Sequence, residues 1–168
     1  MAGVNSDLTE ADKRAFQCFL AAYRRVMTAL GREMAQHTEL SIEQYDALLH
    51  LEYAPDHRLR LSDLADRVLL SRSGLSRLID RMEAKGWVRR EECEEDRRGA
   101  FAVLTDAGRE AREDSWPVLQ AAMRRHFKSQ INDPAEIEIW GRVNRDLAFG
   151  PEEQALPWEG VGEPESDA

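Results

Sequence analysis

Two short apolar stripes, set one after the other and followed at once by an alternating hairpin, constrain this chain more than any other feature. Leu61, Leu64, Ala65 and Val68 fall on one face of a short helix for which Ser62 is the expected cap. Leu69 and Leu70 then form an apolar corner, and Ser71 restarts the chain as a second cap. Leu75, Leu78, Ile79 and Met82 repeat the i, i+3, i+4, i+7 stripe until Gly86 closes the helix. Trp87 to Glu91 and Ala100 to Leu104 read as two strands, joined by a charged turn from Cys93 to Gly99. With one face of the second helix anchored inward, Ser73, Ser76, Arg77 and Arg81 are left facing outward, and Gly74 removes side-chain bulk near the helix start.

Helix, tight turn, helix and hairpin in that order is the layout of a winged helix-turn-helix, whose second helix enters the major groove of DNA. Such a helix needs guanidiniums and small hydroxyls that reach base edges and phosphates. Arg77 is the candidate for bidentate reading of a guanine, because a guanidinium fork matches O6 and N7. Ser71, Arg72, Ser73 and Ser76 are assigned to phosphates or to adjustment against a base edge, and Arg81 shares their face. The hairpin tip, Asp96, Arg97, Arg98 and Gly99, can send an arginine into the narrow minor groove, with Asp96 pairing with an arginine to fix its shape. Glu91, Glu92, Glu94 and Glu95 beside it would repel phosphates and are expected on the outer side of the hairpin.

A net charge of -9 over 168 residues argues on its face against a nucleic-acid partner. The charge is segregated, however. The last eighteen residues, from Pro151, hold six acids and no base, whereas Arg72 to Arg90 holds six bases and two acids, a local +4. The only thiols are Cys18 and Cys93, too few for a disulfide scaffold, and no apolar run approaches the ~20 residues of a membrane span. A cytoplasmic protein is expected, and no membrane partner. His37, His50, His57 and His126 offer no i, i+4 pair, so neither metal nor any other cofactor is expected. Without a Gly-rich phosphate loop, a Gly-x-Ser-x-Gly elbow or a His-Glu-x-x-His run, an enzyme ranks last.

Around this core the pattern is helical. From about Ala11 to Met34, Phe16, Phe19, Leu20, Tyr23, Val26, Met27, Leu30 and Met34 keep a helical period, giving a long amphipathic helix that needs a large surface such as a second subunit. Ser41 and Gln44 form a capping box for a helix through Leu51 that Pro55 ends. Thr105 opens another, carrying Ala111, Trp116, Leu119, Met123 and Phe127 with a kink at Pro117, and a final helix spans Pro134 to Phe149.

The run LSDLADRVLLSRSGLSRLIDRMEAKGWVRREECEEDRRGAFAVLTDAG, with its Asp96-x-Arg98 wing and the Leu104-Thr105 that ends the hairpin, resembles the DNA-binding core of MarR-type (multiple antibiotic resistance) transcriptional regulators. Outside it the likeness is of helix layout only. The resemblance implies a mainly α fold with a small β-hairpin wing, in which residues 1–40 and 105–150 form a helical dimerisation region, 41–104 the winged helix-turn-helix, and 151–168 an acidic flexible tail. It also implies a homodimer, acting as a repressor on a pseudo-palindromic operator of double-stranded DNA, with half-sites about one helical turn apart and contacts at Arg77 and Arg98. A small aromatic effector would sit between the two regions, for which Tyr23, Tyr45, His50, Tyr53 and Trp116 are candidates; core packing explains each equally well. Cys18 lies near where peroxide-sensing members carry a reactive cysteine, though only Tyr23 stands nearby, and packing between Phe16 and Phe19 is the plainer expectation. A protein-interaction winged helix without a DNA role is the remaining alternative.

Overall fold

The computed structural model describes residues 7–92 and 99–150. Six helices and a small antiparallel sheet follow in the order α1 (Glu10–His37), α2 (Ile42–Glu52), β1 (Arg58–Arg60), α3 (Leu61–Arg67), α4 (Arg72–Ala84), β2 (Val88–Glu92), β3 (Ala100–Leu104), α5 (Asp106–His126) and α6 (Pro134–Phe149). Local chemistry sets most of the boundaries. Thr9 and Asp12 cap α1 reciprocally, Ser41 and Gln44 do the same for α2, and the hydroxyls of Ser71 and Thr105 accept from the amides of Gly74 and Gly108 to open α4 and α5. Asp133 and Pro134 start α6, and α5 continues past Pro117 to His126.

Two expectations from the sequence are corrected. Ser62 is not a cap: α3 begins at Leu61 directly off β1, with Arg60 at the cap position, and the Ser62 hydroxyl donates to the neighbouring Asp63 at 2.9 Å. Leu69 does not form an apolar corner; it stands 86% exposed at φ 53°, a left-handed turn residue that breaks the chain between α3 and α4. The structure adds one element. Strand β1 pairs with β3, so the sheet is three-stranded in the order β1-β3-β2, with Leu59 opposite Ala102 and Arg90 opposite Ala102 on the other side.

One apolar core joins α2, α3 and α4 to the sheet and to α5. Leu48, Leu51, Leu64, Leu75, Ile79, Met82 and Val88 are almost wholly buried in it. Between α4 and β2, Gly86 at φ 76° makes the turn, and Thr105 donates to its carbonyl at 2.6 Å. Gly108, in the first turn of α5, lies directly on the Trp87 carbonyl, where a Cβ would fall 2.0 Å from the oxygen. Helix α1 lies along α5, and an ion pair of Glu52 with Arg112, joined by Arg109 at 3.3 Å, ties the end of α2 to α5. No helix among the described residues is long and apolar enough to cross a membrane.

Candidate nucleic-acid interface

Helix α4 is split cleanly. Leu75, Leu78, Ile79 and Met82 are buried, while Ser71, Arg72, Ser73, Ser76, Arg77, Asp80 and Arg81 are exposed. The capping hydroxyl of Ser71 holds the Gly74 amide at 3.1 Å and sits 3.3 Å from the Ser73 hydroxyl, so the small residues at the helix start are organised by the cap itself. Beside them stand the guanidiniums of Arg72, Arg77 and Arg81, none of which makes an ion pair among the described residues. Each is therefore free to take an external anion at no cost of breaking an internal one.

The other bases of this segment are committed elsewhere, which the bare count of charges could not show. Lys85 pairs with Glu39 at 3.0 Å and lies 5.7 Å over the Trp87 ring. Arg89 pairs with Glu91 and holds its carboxyl below the usual carboxylate range. Arg90 reaches back from β2 to both Asp80 and Glu83 of α4, each at 2.5 Å. Glu91, expected on the outer side of the hairpin, is half-buried and paired with Arg89 and Arg58, while Glu92 is exposed. Arg58 and Arg60 of β1 stand over the Phe101 ring at 5.0 and 5.3 Å, on an edge strand that the sequence did not reveal because three residues carry no readable alternation. The expected wing residues Asp96, Arg97 and Arg98, with Cys93, Glu94 and Glu95, lie outside the described residues.

Of the aromatic set named for an effector, Tyr45 and Tyr53 are electrostatic neighbours, and Tyr23 lies apart from them on α1. Tyr23 lines a cavity of about 690 Å³ with Phe19, Met27, Phe127 and Trp140, which none of Tyr45, His50, Tyr53 and Trp116 lines. Tyr45 is buried, its phenol pushed up by that burial and accepting from Arg112 at 3.4 Å. His50 is also buried, which lowers its pKa, with Arg67 adding to the effect; it lies 3.7 Å from Asp46, whose own pKa burial and Glu43 push up to about 6. Cys18 is exposed on α1, as is its neighbour Phe16, so they do not pack within the chain. The described residues hold no group of three or more His, Cys, Asp or Glu that could bind a metal.

A cap-ordered helix with an arginine face, seated by a tight turn on a second helix and flanked by a three-stranded sheet, defines a winged helix-turn-helix protein. Comparison with known proteins narrows this further. The model of the MarR family matches residues 38–99. AbsC, a MarR family transcriptional regulator of Streptomyces coelicolor, is 34% identical over 86% of this chain and 96% of its own, with a TM-score of 0.72. Sco3205, a MarR family regulator of the same organism solved in complex with DNA, is 31% identical over 90% of this chain and 99% of its own, with a TM-score of 0.75. The transcriptional repressor MprA of Escherichia coli is 36% identical over 64 residues, 38% of this chain and 36% of its own. The chain belongs to the MarR family of transcriptional regulators.

Proposed function

We propose that this chain is a sequence-specific regulator of double-stranded DNA that acts as a repressor, binding a pseudo-palindromic operator as a homodimer. The unpaired arginine face of α4 carries this reading: every other base between Arg72 and Arg90 has an internal carboxylate, and Arg72, Arg77 and Arg81 do not. Helix α4 enters the major groove, where Arg77 reads a guanine and Arg72 holds a phosphate, while Asp96 to Gly99 meets the minor groove. The DNA complex of Sco3205 and the repressor role of MprA, the latter over a shared segment only, support it.

Residues 1–40 and 105–150 form the dimerisation region in this reading. Phe16, Leu20, Tyr23, Ile139, Trp140, Val143 and Leu147 are exposed on α1 and α6, an apolar surface that a second copy would cover. A small aromatic effector would release the operator by favouring the dimer shape whose two α4 helices are wrongly spaced. Duplexes selected from a random pool test the core of the proposal in a salt titration. The slope of log K against log salt should be steep, about -0.9 for each phosphate neutralised. A flat titration, or retention of no duplex from the pool, would contradict it.

A further inference from the structure

Arg90 belongs to the base of the wing, yet its side chain lies wholly against α4. Its Nη1 donates to Glu83 Oε2 and its Nη2 to Asp80 Oδ1, both at 2.5 Å, and Nη2 also reaches the Ser76 carbonyl at 3.3 Å. In return Glu83 Oε1 accepts the backbone N–H of Arg90 at 3.1 Å. Ser76, Asp80 and Glu83 are spaced i, i+4, i+7, so one planar guanidinium ties successive turns of α4 to a single point on β2. An ammonium, a point charge without the fork, cannot span both carboxylates in this way.

We propose that Arg90 is a positioning residue for DNA recognition: it fixes the angle between α4 and the wing, so that the two can engage neighbouring grooves together. The inference rests on the DNA-binding reading above. Two contact elements held in their bound arrangement avoid the ordering cost that a loose pair meets on binding, and that saving applies only to a duplex that engages both. The charge of Arg90 is already balanced by two carboxylates, so the latch role needs no phosphate contact from it.

The partners give the idea a distinctive sign. Asp80 and Glu83 place negative charge on the helix that approaches phosphates, so simple electrostatics predicts that removing them tightens DNA binding. The latch predicts the reverse for a specific site. The full chain, Arg90→Lys and the double variant Asp80→Asn/Glu83→Gln are compared on the duplex most enriched from a random pool and on a scrambled duplex of equal length, with folding of each checked by its denaturant midpoint. Both variants should bind the enriched duplex about tenfold more weakly, hold the scrambled duplex at least as tightly as the parent, and keep the parent's salt slope. Tighter binding of the enriched duplex by the double variant would overturn the latch. So would a salt slope shallower by about 0.9 per half-site in a third variant, Arg90→Gln, which removes the charge that lysine keeps, the mark of a direct phosphate contact. If one variant fails to fold, the other decides by the same criteria. A parent chain that prefers neither duplex removes the DNA-binding reading and the latch together, whereas a parent with a preference that both variants share removes the latch alone.

Discussion

At the scale of single residues, Gly108 is short of room and Leu69 holds a left-handed backbone. A Cβ on Gly108 would meet the Trp87 carbonyl at 2.0 Å and Leu104 Cδ1 at 3.0 Å, and a backbone oxygen cannot step aside. Gly108→Ala should therefore lower stability by about 1–3 kcal/mol in urea unfolding, by overpacking; a neutral result would mean that α5 does not seat on the β2 end as described. Leu69 is the opposite case. Exposed at φ 53°, it gives up nothing by losing its side chain, so Leu69→Gly should gain about 0.5–1 kcal/mol from relief of the left-handed strain, partly offset by chain entropy. A fall in the thermal midpoint would show that the leucine has a contact of its own.

Asp46 supplies a pH signature. Burial and Glu43 raise its pKa to about 6, above its ordinary value near 3.8, so the folded state favours the protonated form. Its contribution to stability is whole below about pH 4 and is lost as pH rises through 6. Asp46→Asn should then gain on the parent between pH 4 and 7, by about 1 kcal/mol or less because the side chain is half exposed and solvent screens the effect. His50, whose pKa is lowered, works in the other direction and loses stability on acidification below its ordinary value of 6.5. A difference that does not change with pH would remove the assignment.

At the scale of elements, helices were legible because their period and caps are local. Ser41 with Gln44, Ser71, Thr105 and the Pro134 start all mark real boundaries. What stayed hidden depends on contacts distant in sequence. Strand β1 is three residues long and exists because β3 pairs with it, and its presence moves the start of α3 ahead of Ser62. The recognition face could be named from spacing, but which of its bases were already neutralised could not, since Glu39, Asp80 and Glu83 meet Lys85 and Arg90 only in the fold. The Glu52–Arg112 pair, with both side chains about nine-tenths buried, was likewise invisible in the chain. Arg112→Ala should cost about 3 kcal/mol in denaturant stability by leaving the buried Glu52 with only the longer, more exposed contact to Arg109. A paired apolar replacement, Glu52→Leu with Arg112→Met, should recover most of the loss. Equal losses in the single and the paired variants would show that the charges are not what joins α2 to α5.

At the scale of the whole molecule, an acidic chain sets three guanidiniums without an internal ion pair side by side on one exposed helix face, the face that the proposed reading turns toward DNA. Six of its acids lie in the last eighteen residues, while Arg72, Arg77 and Arg81 share the exposed face of α4. In the proposed dimer a second copy covers the apolar surface of α1 and α6, where Ile139, Leu147 and Phe16 are between 55% and 69% exposed. Leu147→Asp with Ile139→Asp should give a monomer in sedimentation that binds a full operator far more weakly than the parent; an unchanged dimer would place the interface elsewhere. The most direct measurement is selection of duplexes from a random pool by the parent and by Arg77→Ala. The parent should enrich an inverted repeat with half-sites about one helical turn apart, and the variant should lose preference at one position in each half-site, at about 1–3 kcal/mol, with the rest of the motif intact. No enriched motif with the parent, or the same motif at the same strength with the variant, would contradict the placement of α4 in the major groove.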